Sequence, residues 1–290
     1  MTKVFLWLIC LLATSNLFSQ EDSVVYYFAK PKPFAFVTNV PGEVVQMVKW
    51  PFQKKHLKST AILAGSTAVL IALDQNIYNG VRHAADQAGL HPEEKNNVIW
   101  AVKTGSKETV ILKLPGNLNT AFYMLGEGMP TILIAGGMWL QGKINHNYRS
   151  LQTASDLTES FITLGLTTQL TKWATGRENP ILATQRNGAW RPFVSFSDFQ
   201  NNKPKYDAFP SGHLATMMAT VTILANNYPE KKWIKPVGYS LMALTSLATV
   251  NNGVHWLSDI PMGIAMGYIS GKIITDRHKK KIPRTNPLLN

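Results

Sequence analysis

The chain has one cysteine in 290 residues, Cys10, and it sits in an N-terminal apolar run. Without that run the protein holds no thiol, so no disulfide, no cysteine metal ligand and no cysteine nucleophile. Acids are scarce as well: 17 Asp and Glu face 29 Lys and Arg, for a net charge of +12. The excess favours anionic partners such as phosphate esters, anionic lipid or nucleic acid, and does not choose among them. Charged residues make up only 16% of the chain, while the 45% hydrophobic fraction excludes disorder. A mean hydropathy of −0.04 in turn excludes a protein built wholly of lipid-facing helices. Strand-type alternation does not persist beyond a few residues, and there is no repeat and no low-complexity tract. His56, His83, His91, His146 and His278 show no metal-ligand spacing and read as ordinary surface or core residues.

Residues 1–20 read as an export signal. Lys3 gives a short positive start, residues 4–13 are a ten-residue apolar run, and small polar residues follow. The run is short for a spanning helix, which needs about 20 apolar residues. Residues 21–58 are mixed, first aromatic, then broken by prolines, then basic, and are expected to form an irregular lead-in. A helical domain is expected over 59–276, followed by a basic tail over 277–290. Within the domain, 60–73 carries no charge and reads as a buried helix, and 95–114 as a short amphipathic one. Residues 121–140 form a second apolar segment broken by Pro130. Helix 156–172 is expected to start with Asp156 as N-cap and Glu159 completing a capping box. Residues 176–206, with Pro180, Pro192 and Pro204, read as a long loop, a length that is usually functional. Apolar runs at 211–225, 234–250 and 261–274 complete an all-α bundle of about six core helices.

Three clusters carry chemistry. Lys172, Arg177, Asn179 and Pro180 close one helix, Phe209-Pro210-Ser211-Gly212-His213 opens another, and Gly253-Val254-His255-Trp256-Leu257-Ser258-Asp259 joins two more. The turn at Ser211 and Gly212 leads into a helix whose first N–H groups lack intrahelical partners, a ready anion site. His213 in that first turn can give a proton to a leaving oxygen. His255 and Asp259 are four apart, so a helical turn would put the carboxylate on the imidazole, fixing its tautomer and freeing the other nitrogen as base or nucleophile. Each piece alone also has an ordinary reading: Ser211 as a cap, the His/Asp pair as structural, and Lys172 as a solvated cation.

Together and in this order the clusters resemble the signature of the type 2 phosphatidic acid phosphatase and vanadium haloperoxidase superfamily, over about residues 156–274. The resemblance implies that helical fold and a metal-free reaction. His255 attacks phosphorus to give a phosphohistidine, Asp259 orients it, and His213 protonates the departing alcohol. Lys172, Ser211 and Gly212 hold the non-bridging oxygens. The match has two gaps: Asn179 stands where the family has arginine, and Ala248 and Thr249 stand where it has Ser-Arg. Arg177, or Arg186 and Arg191 in the long loop, are the candidate substitutes.

The resulting expectation is a phosphatase-like hydrolase of phosphate esters, plausibly lipid phosphates. A catalytically weak phosphate- or phospholipid-binding envelope protein, a phospho-head-group transferase and a vanadate-dependent haloperoxidase remain alternatives. An anionic membrane is a possible partner, nothing marks a nucleic-acid module, and the oligomeric state is left open. Basic connections at 49–58, 143–149, 231–235 and 277–284 fall at one end of the helices and Lys172, His213 and His255 at the other. By the positive-inside rule the site faces out of the cytoplasm, in the periplasm or on a membrane. A cleaved signal would put residue 21 outside too, which conflicts with the basic 49–58 stretch.

Overall fold

The computed structural model describes residues 24–92, 95–105, 107–278 and 280–283. The expected signal at 1–20 and most of the basic tail lie outside them. Strand β1 (Val24–Tyr27), a short α1 (Ala35–Thr38) and α2 (Val40–Lys49) precede the long α3 (Leu57–Gln87). Strands β2 (Asn96–Thr104) and β3 (Lys107–Pro115) lead to α4 (Leu118–Met124), α5 (Met129–Ile144) and α6 (Tyr148–Thr175). After α7 (Phe196–Asn201) come α8 (Gly212–Asn227), α9 (Ile234–Asn251), α10 (Asp259–His278) and β4 (Lys280–Pro283). The core is helical, with α3, α5, α6, α8, α9 and α10 as its six long members.

Helix α8 is the axis. Leu214, Ala215 and Ile223 are wholly buried, and α6, α9 and α10 all pack on it. The closest partner is α10, because Gly263, Gly267 and Gly271 recur every fourth residue along its inner face. A Cβ at Gly267 would sit 2.1 Å from the Ala215 carbonyl oxygen, and one at Gly263 would sit 2.3 Å from that of Ser211. Small residues at this spacing let two backbones meet along a shared seam.

Five sequence expectations are revised. Helix α6 starts eight residues before Asp156: Asn147 is its cap, accepting from the Ser150 N–H. Asp156 and Glu159 are instead fully buried in mid-helix. Asp156 accepts from Asn227 and Gln152, and Glu159 from Arg277 and Asn39. An Asp-x-x-Glu pattern suits a polar interior stripe as well as a cap.

The lead-in contains α2, clamped by the buried Glu43, which accepts from Thr163 of α6 (2.7 Å) and Ser270 of α10 (2.6 Å). The supposed helix at 95–114 is an antiparallel hairpin, β2 with β3, turning near Gly105 (φ 66°). Val98, Ile99, Val102, Thr109 and Val110 are β-branched and favour strand, which outweighs the weak helical spacing. The 121–140 segment breaks at Gly126 and Gly128, where α4 ends and α5 begins, with Pro130 in the first turn of α5. Finally, the uncharged run at 60–73 is helical but not buried. Among the described residues, Lys54–Gln87 is the one helical stretch long and apolar enough to cross a membrane, and its apolar part is almost wholly exposed.

Strand β1 pairs antiparallel with β4, which places the start of the described chain beside the end of α10. That end of the bundle is opposite to the one described next.

Candidate active site

Helix α6 ends at Gly176, whose φ of 56° and closeness to Arg191 allow nothing larger: a Cβ there would sit 1.8 Å from the Arg191 carbonyl oxygen. The chain then drops into an extended segment where Arg177 bridges Trp190 on one side and Asp207 on the other. The Ala208 N–H donates to the Arg177 carbonyl, fixing the strand that runs into Ser211. The loop expected at 176–206 is thus tied to the bundle, with α7 inside it.

Arg177 is completely buried. One terminal nitrogen donates to Ser258 Oγ (2.6 Å) and Asp259 Oδ1 (2.5 Å). The other donates to Asp74 Oδ2 (2.7 Å) and the Asn187 carbonyl (2.9 Å). The guanidinium also lies over the Trp190 and Trp256 rings. With its terminal N–H groups committed, Arg177 is a clasp between α3 and α10 and not the phosphate ligand expected from sequence. Arg191 is diverted too, donating to Glu178 Oε1 (2.5 Å) and Thr184. Burial alone would raise the Glu178 carboxyl, but N–H groups of Thr184 and Ala189, with Arg191, outweigh it and hold the group below its usual range. Arg186 reaches Asn76 at 3.2 Å. None of these three lines the cavity beside the histidines.

His255 is 1% exposed. Its Nδ1 lies 2.7 Å from the Ala208 carbonyl oxygen, which can only accept, so Nδ1 carries the proton and Nε2 the lone pair. Asp259 Oδ2 stands 3.7 Å from Nδ1 and accepts instead from the Trp256 N–H (2.7 Å). The expectation of one helical turn fails here because residues 255–258 precede α10, which begins at Asp259. The tautomer is set by a backbone carbonyl, and the carboxylate fixes the loop that carries the ring. Burial, aided by the nearby Lys172 charge, pushes His255 down to about 3, so the ring is neutral at ordinary pH. Burial pushes Asp259 up to about 7, with Arg177 pulling the other way.

His213, in the first turn of α8, points Nδ1 at His255 Nε2 across 3.2 Å, the rings nearly perpendicular at 77°. Tyr123 packs on its other side. Ser211 Oγ caps α8 by accepting from the Leu214 N–H at 3.4 Å, while the Ser211 N–H donates to the Asp259 carbonyl (3.0 Å). Ser211 is fully buried and ties α8 to α10, whereas Gly212 and His213 line a cavity of about 350 Å³. Lys172 lines the same cavity, its Nζ 3.6 Å from Asp207 Oδ2. The structure therefore brings His213, His255, Lys172 and Gly212 together, sets Asp259 and Ser211 just behind them, and draws Arg177 and Arg191 away. Asn179 is buried, and the Thr249 carbonyl accepts from the Val254 N–H, closing the turn that delivers His255.

Asp74, Ser258, Asp207 and the Ala208 carbonyl were not singled out from the sequence. Asp74 had a visible signal, as the first charge after an uncharged fourteen-residue run. A carbonyl leaves no trace in residue identity.

The chain is similar to known proteins over parts of its length. The lipid A 1-phosphatase of Porphyromonas gingivalis is 30% identical over 80 residues, which are 27% of this chain and 18% of that protein. The crystal structure of a transmembrane PAP2 type phosphatidylglycerolphosphate phosphatase from Bacillus subtilis aligns over 75% of this chain and 94% of that one, at 19% identity and a TM-score of 0.42. Residues 153–283, which hold Lys172, His213, His255 and Asp259, match the PAP2 superfamily.

Proposed function

We propose that the protein is a membrane-associated phosphatase that cleaves a lipid phosphate through a phosphohistidine. Nε2 of His255 attacks phosphorus, forming a P–N bond as the P–O bond to the alcohol breaks. His213 gives its proton to the departing oxygen. Water, deprotonated by His213, then displaces phosphate from His255 and restores both rings. Lys172 and the first N–H groups of α8 face the non-bridging oxygens, the preorganised positive field that phosphoryl transfer chiefly needs. The observation that carries this reading is the 3.2 Å approach of the two imidazoles, with His213 lining a cavity that also holds Lys172.

The lipid part rests on surface. An apolar furrow of about 560 Å³, walled by Val98 and Val110 of the hairpin and Met129 and Ile132 of α5, adjoins the cavity at Glu127. Exposed apolar side chains also cover α3, α5 and one face of α6, including Ile62, Val69, Leu133, Leu140, Ile162 and Leu166. Surface of this kind and extent marks contact with lipid or protein.

The test uses the full chain in detergent with a soluble aryl phosphate and a long-chain lipid phosphate. Phosphate release from both is expected, abolished by His255→Ala, with an acid-labile, base-stable phosphoenzyme trapped on rapid quenching. Turnover that survives His255→Ala would overturn the mechanism. Head-group transfer has one observation in its favour: Lys172 is the only cation lining the cavity among the described residues, which suits a less charged phosphodiester. Capture of the phosphoryl moiety by an added acceptor alcohol, in place of free phosphate, would select that reading.

A further inference from the structure

A groove with a cavity volume of about 690 Å³ lies between α5 and α6, and its far end at Phe161 also walls the cavity beside His213. It runs along α6 from Leu151 to Phe161, about 15 Å at 1.5 Å per residue. Its walls are apolar, with Ile132 and Trp139 from α5 and Leu157 from α6, and the small Ala135 and Gly136 deepen it.

The groove is polarised. Lys143 stands at one end, where α5 finishes and Gly142 abuts Leu151 of α6. Lys30 and Lys32 border the groove from the strap that precedes α1, a strap held near the start of α6 by Arg149 over Phe28. No carboxylate lines the groove. At its edge Phe34 is 70% exposed and held at φ 59°, a conformation that costs a non-glycine residue energy and tends to persist where it serves a ligand.

We infer that this groove binds an anionic phospholipid, one acyl chain lying along the α5/α6 furrow and the phosphate resting among Lys30, Lys32 and Lys143. A peptide would find no main-chain partners, since both walls are helices with their backbone bonds satisfied internally, whereas a hydrocarbon chain needs none. A zwitterionic headgroup would leave three cations facing its own ammonium. The outer walls, Ile132 and Trp139, belong to the exposed apolar face of α5, so the groove opens where lipid would be. Because the lysines sit at the opposite end of α6 from Lys172, this is a second lipid site and not the reacting one. It does not depend on the proposed phosphatase activity.

The test uses the full chain in nanodiscs or detergent, with phosphatidylglycerol against phosphatidylcholine. Bound lipid is counted by native mass spectrometry and the shift in unfolding temperature is measured. Each lysine near an anionic headgroup contributes about fivefold, so a preference for phosphatidylglycerol of at least tenfold is expected. Lys30→Glu/Lys32→Glu/Lys143→Glu is expected to abolish it. Lys231→Glu/Lys232→Glu/Lys235→Glu, at the same end of the bundle but off the groove, is expected to keep it. Gly136→Phe supplies the steric arm: a Cβ at Gly136 meets nothing within 4 Å, so the variant folds and its ring occupies the groove. Retained lipid in Gly136→Phe, equal loss in both triple variants, no preference in the parent chain, or the same stabilisation by inorganic phosphate would each overturn the assignment.

Discussion

Arg177 shows how one buried side chain can serve a site without touching its substrate. It neutralises Asp74 and Asp259 together and so holds the 256–259 turn from which His255 projects. Removing one partner of such a cluster strands the others, at a cost of about 3–5 kcal/mol. Arg177→Ala is expected to lower the unfolding temperature by that equivalent and to remove activity with it. Arg191→Ala removes a partly exposed partner from the buried Glu178, which keeps the Thr184 and Ala189 N–H groups, and is expected to cost less than Arg177→Ala. Equal melting of the two variants would show that Arg177 is no clasp. His255 gives a pH signature. In the unfolded chain its ring takes a proton near 6.5, but in the fold it resists until about 3. Between those values the unfolded state binds the extra proton, so its contribution to stability is complete above 6.5 and is lost as pH falls through the window. Denaturant unfolding should weaken from pH 6.5 downward in the parent chain and lose part of that slope in His255→Gln. The acid limb of kcat/KM should likewise fall well below pH 6.5, since the nucleophile stays neutral.

Among the elements, the glycine seam on α10 makes the sharpest contrast. Gly267→Ala forces a methyl group to 2.1 Å from a backbone oxygen of α8, and the overpacking is expected to cost about 1–3 kcal/mol or more. Gly65→Ala on α3 meets nothing within 4 Å and is expected to stabilise by about 0.5–1 kcal/mol through helix propensity. Thermal unfolding of the two variants should move in opposite directions. Elements were legible in the sequence where apolar runs meet Pro or Gly. Helices α8, α9 and α10 begin and end within a few residues of expectation, and Ser211 caps α8 as read. The start of α6 was hidden because its polar first turns, with Asp156 and Glu159, look like a boundary until Arg277 and Asn39 arrive from far along the chain. The hairpin was hidden because lysines and asparagines interrupt its alternation. At the site, local motifs named the two imidazoles and Lys172, since each belongs to a short run with its own turn. The pairings of Arg177 with Asp74 and of His255 with the Ala208 carbonyl join residues 103 and 47 positions apart. Local spacing carries no record of either.

For the molecule as a whole, the ends of the bundle differ in charge and in chemistry. Lys143 and Arg149 at the α5/α6 turn, Lys231, Lys232 and Lys235 before α9, and Arg277 at the end of α10 mark one end. The imidazoles and the hairpin mark the other. If lipid surrounds the exposed apolar belt, the positive-inside rule puts the basic end in the cytoplasm and the histidines outside. The β1–β4 pairing adds a constraint that charge alone could not: residue 24 lies with residue 283 at the basic end. A leader cleaved outside the cell would put residue 24 on the opposite side from this arrangement, the same conflict that the basic 49–58 stretch raises. With Cys10→Ser as background, single cysteines at Ala29 and Lys103 report the two ends. A membrane-impermeant maleimide is expected to label Lys103→Cys in intact cells and Ala29→Cys only after permeabilisation. Labelling of both positions in intact cells would mean that the bundle does not separate its ends across a bilayer. The basic end would then be a surface for anionic headgroups without being a cytoplasmic face.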